Sequence, residues 1–248
     1  MVKPIFLVAG ASSGMGRETA LKLGESQAHV IVAARRIGPL EETAEQIRQA
    51  GGSAEAMTFD GNDVQSVEAL IKKIETNHGQ LDGAFNNIGH TFGDSLLHET
   101  PLERWQSALQ VNLSAVFYLM RAQVPLMLRN GGGRIVNNSS TGGLRGTRNM
   151  SDYSAAKWGV IGLTKSAALE YANENIIINV IAPGIIATEK FREIEQRIPE
   201  VFEKLQQETP IGRFGEMHEI AEVVDWLLRE APAYLAGTVI PVDGGRTA

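Results

Sequence analysis

Tyr153 and Lys157 stand at i and i+4 in Asp152-Tyr153-Ser154-Ala155-Ala156-Lys157. On a helix that spacing puts the phenol and the amine on one face. A phenol beside an ammonium can give and take a proton, and the small residues between them leave room for a ligand to lie against the helix. Such a pair is common by chance, so its weight depends on what else converges. Ser139 and Ser140 directly follow the strand-like run Ile135-Val136-Asn137-Asn138, and Asn86-Asn87-Ile88-Gly89 closes another apolar run. Asn112 interrupts an apolar stretch in Val111-Asn112-Leu113, where a polar side chain needs a partner. A core hydrogen bond to the backbone would satisfy it, and that role is compatible with a catalytic one.

A second constellation lies near the N-terminus. Gly10, Gly14 and Gly16 fall in Ala9-Gly10-Ala11-Ser12-Ser13-Gly14-Met15-Gly16, between an apolar run and a helix-like segment. The spacing is G-x-x-x-G-x-G. A tight turn needs glycine, a pyrophosphate needs close backbone approach, and a helix N-terminus offers free N–H groups to an anion. Ser12 and Ser13 add hydroxyl donors, and Met15 lies in the same turn. A glycine-rich strand–helix turn without a ligand would read similarly, but the position after an N-terminal strand favours binding. In such folds an acidic residue about 20 positions further on binds the adenosine ribose diol. Here the second strand ends Val32-Ala33-Ala34-Arg35-Arg36, with no carboxylate. A guanidinium can hold a 2′-phosphate with two hydrogen bonds. Arg35, assisted by Arg36, is therefore expected to select NADP(H) over NAD(H), solvated surface arginines being the alternative reading; Arg17 is a further candidate. Asp60, followed by Gly61, ends the third strand and is expected either to accept from an adenine amino group or simply to close a turn.

These residues are positioned by alternating elements. Strands are expected at Ile5–Ala9, 29–33, 54–59, 81–85, 134–138, 176–181 and 238–242. Helices are expected at 14–27, 39–50, 64–77, Leu102–Arg129 with Pro125 bending it, 153–172, 201–207 and 218–229. Near-continuous apolar strands alternating with helices indicate an α/β fold: a doubly wound, parallel, Rossmann-type sheet of about seven strands with helices on both faces. Ser139-Ser140 and Asn86 to Gly89 then share the carboxyl edge of the sheet, where ligands bind in such folds. One domain spanning 1–248 is expected, with 186–215 as a charged, irregular substrate lid.

The composition excludes several alternatives. A net charge of −6 with no basic run argues against binding nucleic acid. The absence of cysteine removes disulfides, thiolate metal sites and Cys nucleophiles, and fits a reducing, cytoplasmic compartment. The apolar run after Lys3 is read as a buried first strand rather than a signal segment, and no stretch reaches the 18 apolar residues of a membrane span. The five histidines look scattered, so no metal site is expected.

Taken in order, the glycine loop, Asn-Asn-x-Gly at 86–89, Asn112, Ser139-Ser140, Tyr153-x-x-x-Lys157 and Pro183-Gly184 resemble the short-chain dehydrogenase/reductase superfamily over nearly the whole chain. Ile88 stands where Ala is usual and Ala9 where Thr is usual. The resemblance implies hydride transfer between NADP(H) and a ketone or secondary alcohol. Ser140 would polarise the carbonyl, Tyr153 would exchange the proton, Lys157 would hold the nicotinamide ribose and support the tyrosinate, and Asn112 would help hold a water. Gly10, Ser12, Ser13, Gly14, Met15, Gly16, Arg35, Arg36, Asp60, Gly61, Asn87, Gly89, Pro183, Gly184, Ile186 and Thr188 would join Tyr153 and Lys157 around the cofactor. A tyrosine titrating near pH 10 needs about 4 kcal/mol to act as a base at pH 7, and an ammonium about 4 Å away at an effective dielectric near 20 supplies about that much. Substrate walls are expected at 90–98, 142–150 and 186–215, with Leu144, Met150, Phe191, Ile194 and Phe202 as apolar surface and Arg145 and Arg148 as loop cations. A homotetramer is implied, with Ala155, Ala156, Val160, Ala167 and Ala168 compatible with an interface. A dinucleotide sensor without turnover is the competing reading, and an epimerase or dehydratase a third.

Overall fold

The first strand shows why the chain layers as it does. Ile5–Ala9 is buried at every position. Ile5, Leu7 and Ala9 join one core cluster, Phe6 and Val8 the other, because successive side chains of a strand point to opposite faces. A strand with no polar face must be covered on both sides. The structure, a computed structural model, describes residues 3–93, 95–197 and 199–248.

Seven parallel strands form one sheet in the order β3-β2-β1-β4-β5-β6-β7. They are β1 (Ile5–Ala9), β2 (His29–Ala34), β3 (Ser53–Thr58), β4 (Gly83–Asn86), β5 (Gly133–Asn138), β6 (Ile176–Pro183) and β7 (Val239–Val242). The helices are α1 (Gly14–Gly24), α2 (Ile37–Gln49), α3 (Val64–His78), α4 (Leu102–Leu109), α5 (Ala115–Arg129), α6 (Ser151–Tyr171), α7 (Glu189–Glu195), α8 (Pro199–Gln207) and α9 (Met217–Arg229). Helices α1, α2 and α9 cover one face through Ala20, Leu23, Leu40, Ile47, Val224 and Leu228. Helices α3, α5 and α6 cover the other through Val67, Ile74, Val116, Leu119, Val160 and Ala168. The order reverses between β1 and β4, which opens a crevice at their carboxyl ends.

Three expectations are corrected. The long helix at Leu102–Arg129 departs from α geometry at a π-helical turn, Gln110–Ser114, centred on Asn112, while Pro125 lies inside α5. By length and composition this helix could cross a membrane, but half of its apolar window is buried, and Val116, Leu119, Met120, Val124 and Met127 pack in the core. The segment 186–215 is not irregular: it carries α7 and α8 around its own aromatic cluster of Phe191, Phe202 and Phe214, with ring centroids 4.5, 4.9 and 6.1 Å apart. Its base is pinned by backbone bonds from Gly215 to Ile185 and from Ala187 to Gly215. Helix α8 falls where a helix is expected at 201–207, but α7 and the aromatic cluster have no periodic signal, because the cluster is built from single apolar residues on short elements.

Candidate active site

A cleft of about 650 Å³ opens at the carboxyl edge of the sheet, lined by the β1–α1 loop, the ends of β2 to β6 and the first turns of α6. That volume lies within the range of small-molecule and cofactor sites. The cleft brings together Gly10, Ser12, Ser13, Gly14, Met15, Arg35, Arg36, Asp60, Gly61, Asn87, Gly89, Ser140, Tyr153, Lys157, Pro183, Gly184 and Thr188. Gly16, Asn112 and Ile186 do not line it.

The glycine loop is shaped by contact as much as by conformation. Gly10 has a φ of +87°, in the left-handed region, and a Cβ there would run into the carbonyl oxygen of Asn87. Gly16 sits behind the loop, where a Cβ would strike the carbonyl of Gly10, so the absent side chain lets α1 pack closely. Ser13 caps α1 without donating or accepting a side-chain bond, so the first-turn N–H groups remain directed at the cleft. Arg35 and Arg36 are exposed where the cleft meets the end of β2, and neither makes a hydrogen bond or ion pair among the described residues. Arg17 instead donates to Gln46 at 2.8 Å. Asp60 Oδ1 accepts from the Asn62 N–H at 3.0 Å, closing a turn, and the residue also lines the cleft.

At the other end, Lys157 is 3% exposed and donates from Nζ to the carbonyl oxygen of Asn138 at 2.9 Å. Burial pulls its pKa down from 10.5 to about 8. Its ammonium stands 5.7 Å from the centroid of the Tyr153 ring. The Tyr153 hydroxyl is pushed up by burial, against which a hydrogen bond with Ser140 acts only partly. The expected depression of the phenol by Lys157 is therefore not what the protein groups produce by themselves. The amine is engaged with Asn138, and burial of the phenol outweighs its hydrogen bond with Ser140. A raised phenol suits a proton donor.

Asn112 acts from behind the cleft wall. Its amide donates to the carbonyls of His90, at 2.9 Å, and Ala108, at 3.0 Å, and accepts from the His90 N–H at 3.0 Å. It therefore satisfies the π-helical turn and fixes the 89–90 backbone beside Lys157. A Cβ on Gly89 would lie 3.1 Å from Lys157 Nζ. π turns of this kind are frequent at functional sites. Ile186 packs in the core against α9 and bridges to Gly215, so its side chain is turned away from the cleft.

Two features escaped the sequence. Asn138 bridges the site, donating from Nδ2 to Asn87 Oδ1 at 2.6 Å, while its own Oδ1 is buried without a partner among the described residues. Arg104 on α4 clamps the substrate side: it donates to both carboxylate oxygens of Asp152, at 2.8 and 3.2 Å, to Ser95 Oγ at 3.0 Å and to the carbonyls of Gly93 and Asn149. Burial raises the Asp152 carboxyl, but the Arg104 guanidinium and the Tyr153 N–H outweigh it and hold the acid below its usual range. Asp152 adjoins Tyr153, which is the only signal the chain offers; its partner lies 48 residues away. Arg104→Met is expected to destabilise the fold by about 3–5 kcal/mol, since it strands a buried carboxylate. Denaturant unfolding measures this, and a loss under about 1 kcal/mol would contradict it.

The expected substrate walls are only partly in place. His90 and Thr91 line the cleft. Phe191 and Phe202 belong to the aromatic cluster of the 186–215 segment, and Leu144 packs on the main core. Arg145 and Arg148 are exposed loop residues. Asp94 and Ile198, which fall within the expected walls, lie outside the described residues. Of the five small apolar residues compatible with an interface, Ala156, Val160, Ala167 and Ala168 are buried within this chain and Ala155 is half-buried.

A doubly wound sheet with a glycine-lined cleft at its switch point and a serine, tyrosine and lysine in that cleft defines a nucleotide-binding α/β protein equipped for proton transfer. Comparison with known proteins narrows this. Residues 10–247 match the family described as enoyl-(acyl carrier protein) reductase. Cyclohexanol dehydrogenase of Acinetobacter sp. (strain SE19) is 38% identical over 243 residues, covering 98% of this chain and 94% of the relative. The crystal structure of a point variant of the actinorhodin polyketide ketoreductase with NADPH superimposes with a TM-score of 0.93 at 33% identity, covering 99% of this chain and 97% of the other. NAD+-bound xylitol dehydrogenase gives a TM-score of 0.93 at 28% identity, covering 98% of each chain. The chain belongs to the short-chain dehydrogenase/reductase superfamily, whose relatives here are oxidoreductases.

Proposed function

We propose that this protein transfers a hydride between NADP(H) and a ketone or secondary alcohol. The observation that carries the reading is the convergence of Ser140, Tyr153 and Lys157 in one cleft with an anion-ready helix N-terminus and two arginines. The residues present fit a dinucleotide. The Gly10 cradle would be filled by any Cβ, the α1 N–H groups face the cleft, and the buried Asn138 Oδ1 has no partner among the described residues. Gly10, Ser12, Ser13, Gly14 and Met15 would hold the pyrophosphate; Asp60 and Gly61 flank the adenine; Asn87, Gly89, Lys157, Pro183, Gly184 and Thr188 surround the nicotinamide ribose and ring. When bound, the cofactor supplies or accepts the hydride. Ser140 donates a hydrogen bond to the substrate oxygen and Tyr153 gives it the proton in reduction. Lys157 orients the ribose and lends positive charge, and Asn112 positions the loop behind it.

Arg35 is the basis for preferring NADP(H) to NAD(H). Arg35→Ser is expected to weaken NADPH binding about tenfold or more, the worth of a hydrogen bond to a charged group, and to leave NADH binding unchanged. Fluorescence titration with both nucleotides measures it; equal losses would remove the 2′-phosphate role. The relative that is a cyclohexanol dehydrogenase supports a compact secondary alcohol as substrate. Turnover of ketones and alcohols by nicotinamide absorbance, with NADPH and NADH in parallel, tests the function as a whole. NADPH binding without any turnover would favour a sensor.

The proposal extends to one domain with 186–215 as substrate lid, in the cytoplasm, assembled as a homotetramer. Phe117 on α5 and Trp158 and Leu169 on α6 are exposed apolar residues suited to such an interface. Sedimentation at a mass near the 26.9 kDa of a single chain would reject it.

A further inference from the structure

The histidines that look scattered in the chain are not scattered in space. His29 opens β2 and pairs in register with Ser53, the first residue of β3; two residues on, Ile31 pairs with Glu55. Cross-strand partners share a face, and residues two apart on a strand share it too, so His29, Ser53 and Glu55 project together. His78 is the last residue of α3, which packs on that face and ends in the left-handed Gly79. Nitrogens of His29 and His78 and a carboxylate oxygen of Glu55 all lie within 4.8 Å of one another. His29 Nε2 is 3.5 Å from Glu55 Oε1, and His78 Nε2 is hydrogen-bonded to the same oxygen. Ligand atoms around a tetrahedral zinc, each about 2.0–2.1 Å from it, are separated by about 3.3 Å.

Of these separations the His29–Glu55 one matches that spacing, and the His78–Glu55 hydrogen bond would open to admit an ion. The surroundings of His29 also favour an ion. His29 Nδ1 lies 2.7 Å from Ser53 Oγ. With that nitrogen donating to the hydroxyl, Nε2 is left with its lone pair toward Glu55, as in metal sites whose histidines are oriented by a second partner. Nε2 is buried and, among the described residues, has no partner at hydrogen-bond geometry, Glu55 Oε1 being its near neighbour. The negative end of α3 lies at His78, which favours a cation there. Lys3 is the opposing charge, felt at His29 from an exposed position.

We propose that His29, Glu55 and His78 bind one first-row divalent cation of the zinc class, with water completing the shell. Two imidazoles and a carboxylate suit zinc better than magnesium or calcium, which prefer all-oxygen shells. The ion would tie the starts of β2 and β3 to the end of α3. The length of β2 separates His29 from Arg35 and the cleft by about 20 Å at roughly 3.3 Å per residue. The site is therefore a stabilising one that takes no part in the chemistry.

Chelator-treated full-length protein titrated with zinc chloride by calorimetry tests this. One ion per chain at micromolar affinity or tighter is expected, together with a rise of several degrees in the unfolding midpoint. In the wild type, zinc should shift the ring-proton NMR signals of two of the five histidines. His78→Gln and Glu55→Gln should abolish saturable binding while turnover stays unchanged, and Ser53→Ala should weaken it about 10- to 100-fold. Absence of saturable zinc binding to the wild type, shifts in other histidines, or undiminished affinity in the His78 and Glu55 variants would leave a hydrogen-bonded His–Glu–His cluster and overturn the proposal. The wild-type measurements decide the matter even where a variant fails to fold.

Discussion

Tyr153→Phe is expected to lower kcat about 10²- to 10⁴-fold, the usual contribution of a positioned acid or base, while leaving the cofactor dissociation constant within about twofold. Only the hydroxyl is lost, so the ring still fills its place beside Gly142 and the Ser140 side chain. The direction of the phenol's shift adds a pH signature. Burial raises its pKa, so the neutral donor persists across the physiological range. Reduction, which needs the phenol, should hold its rate until the pH approaches that raised value. Oxidation, which needs the phenolate, should accelerate as the pH rises. Steady-state kinetics in both directions measure these trends. Near-normal turnover in the Phe variant would remove Tyr153 from the chemistry.

Lys157→Met should separate function from stability. In the proposed function the ammonium would contact the nicotinamide ribose, and it carries the cleft's buried positive charge, so its removal is expected to reduce kcat at least about 10²-fold and to weaken cofactor binding. The fold should not suffer in proportion. Lowering the lysine from 10.5 to about 8 reflects a burial cost of about 3 kcal/mol, which the Met variant escapes, against the loss of one charged hydrogen bond to the Asn138 carbonyl worth about 1.5–3 kcal/mol. The unfolding free energy at neutral pH should therefore stay level or rise slightly. The pH dependence gives an independent check. Between pH 8 and 10.5 the unfolded chain holds more protons at this residue than the folded chain, so wild-type stability should gain from Lys157 as the pH rises through that window, and the Met variant should lack that gain. Denaturant titrations across the window, paired with cofactor binding, test both parts. A variant that binds cofactor normally would contradict the ribose contact.

Much of this site was legible because its parts are local. The Gly10 to Gly16 loop, Tyr153 to Lys157, Ser139-Ser140 and Asn86 to Gly89 are each contained within a few residues, and alternating strands and helices place their strand ends on one edge. Asn112 was also visible, as a polar residue on an apolar helix, although its role proved to be holding the His90 backbone through a π-helical turn. The turn itself left no trace in composition, since a change of one residue per turn does not disturb the apolar pattern. The seven strands follow from their apolar runs, with shifts of one or two residues at their ends. Helix α7 has no such signal, because its charged residues mask the single Phe191 that anchors it.

The amino-acid sequence by itself determined the layer order, the edge that carries the chemistry, and the residue types that meet there. Those follow from periodicity and from glycine and proline geometry, which act between near neighbours. Tertiary structure alone decided which distant residues pair: Arg104 with Asp152, Asn138 with Asn87, and His29 with Glu55 and His78. It also reversed the direction in which the Tyr153 phenol is shifted, because burial and the reach of Lys157 depend on how strands and helices pack around them. No local pattern encodes a desolvation that arises only when the chain has closed around the group.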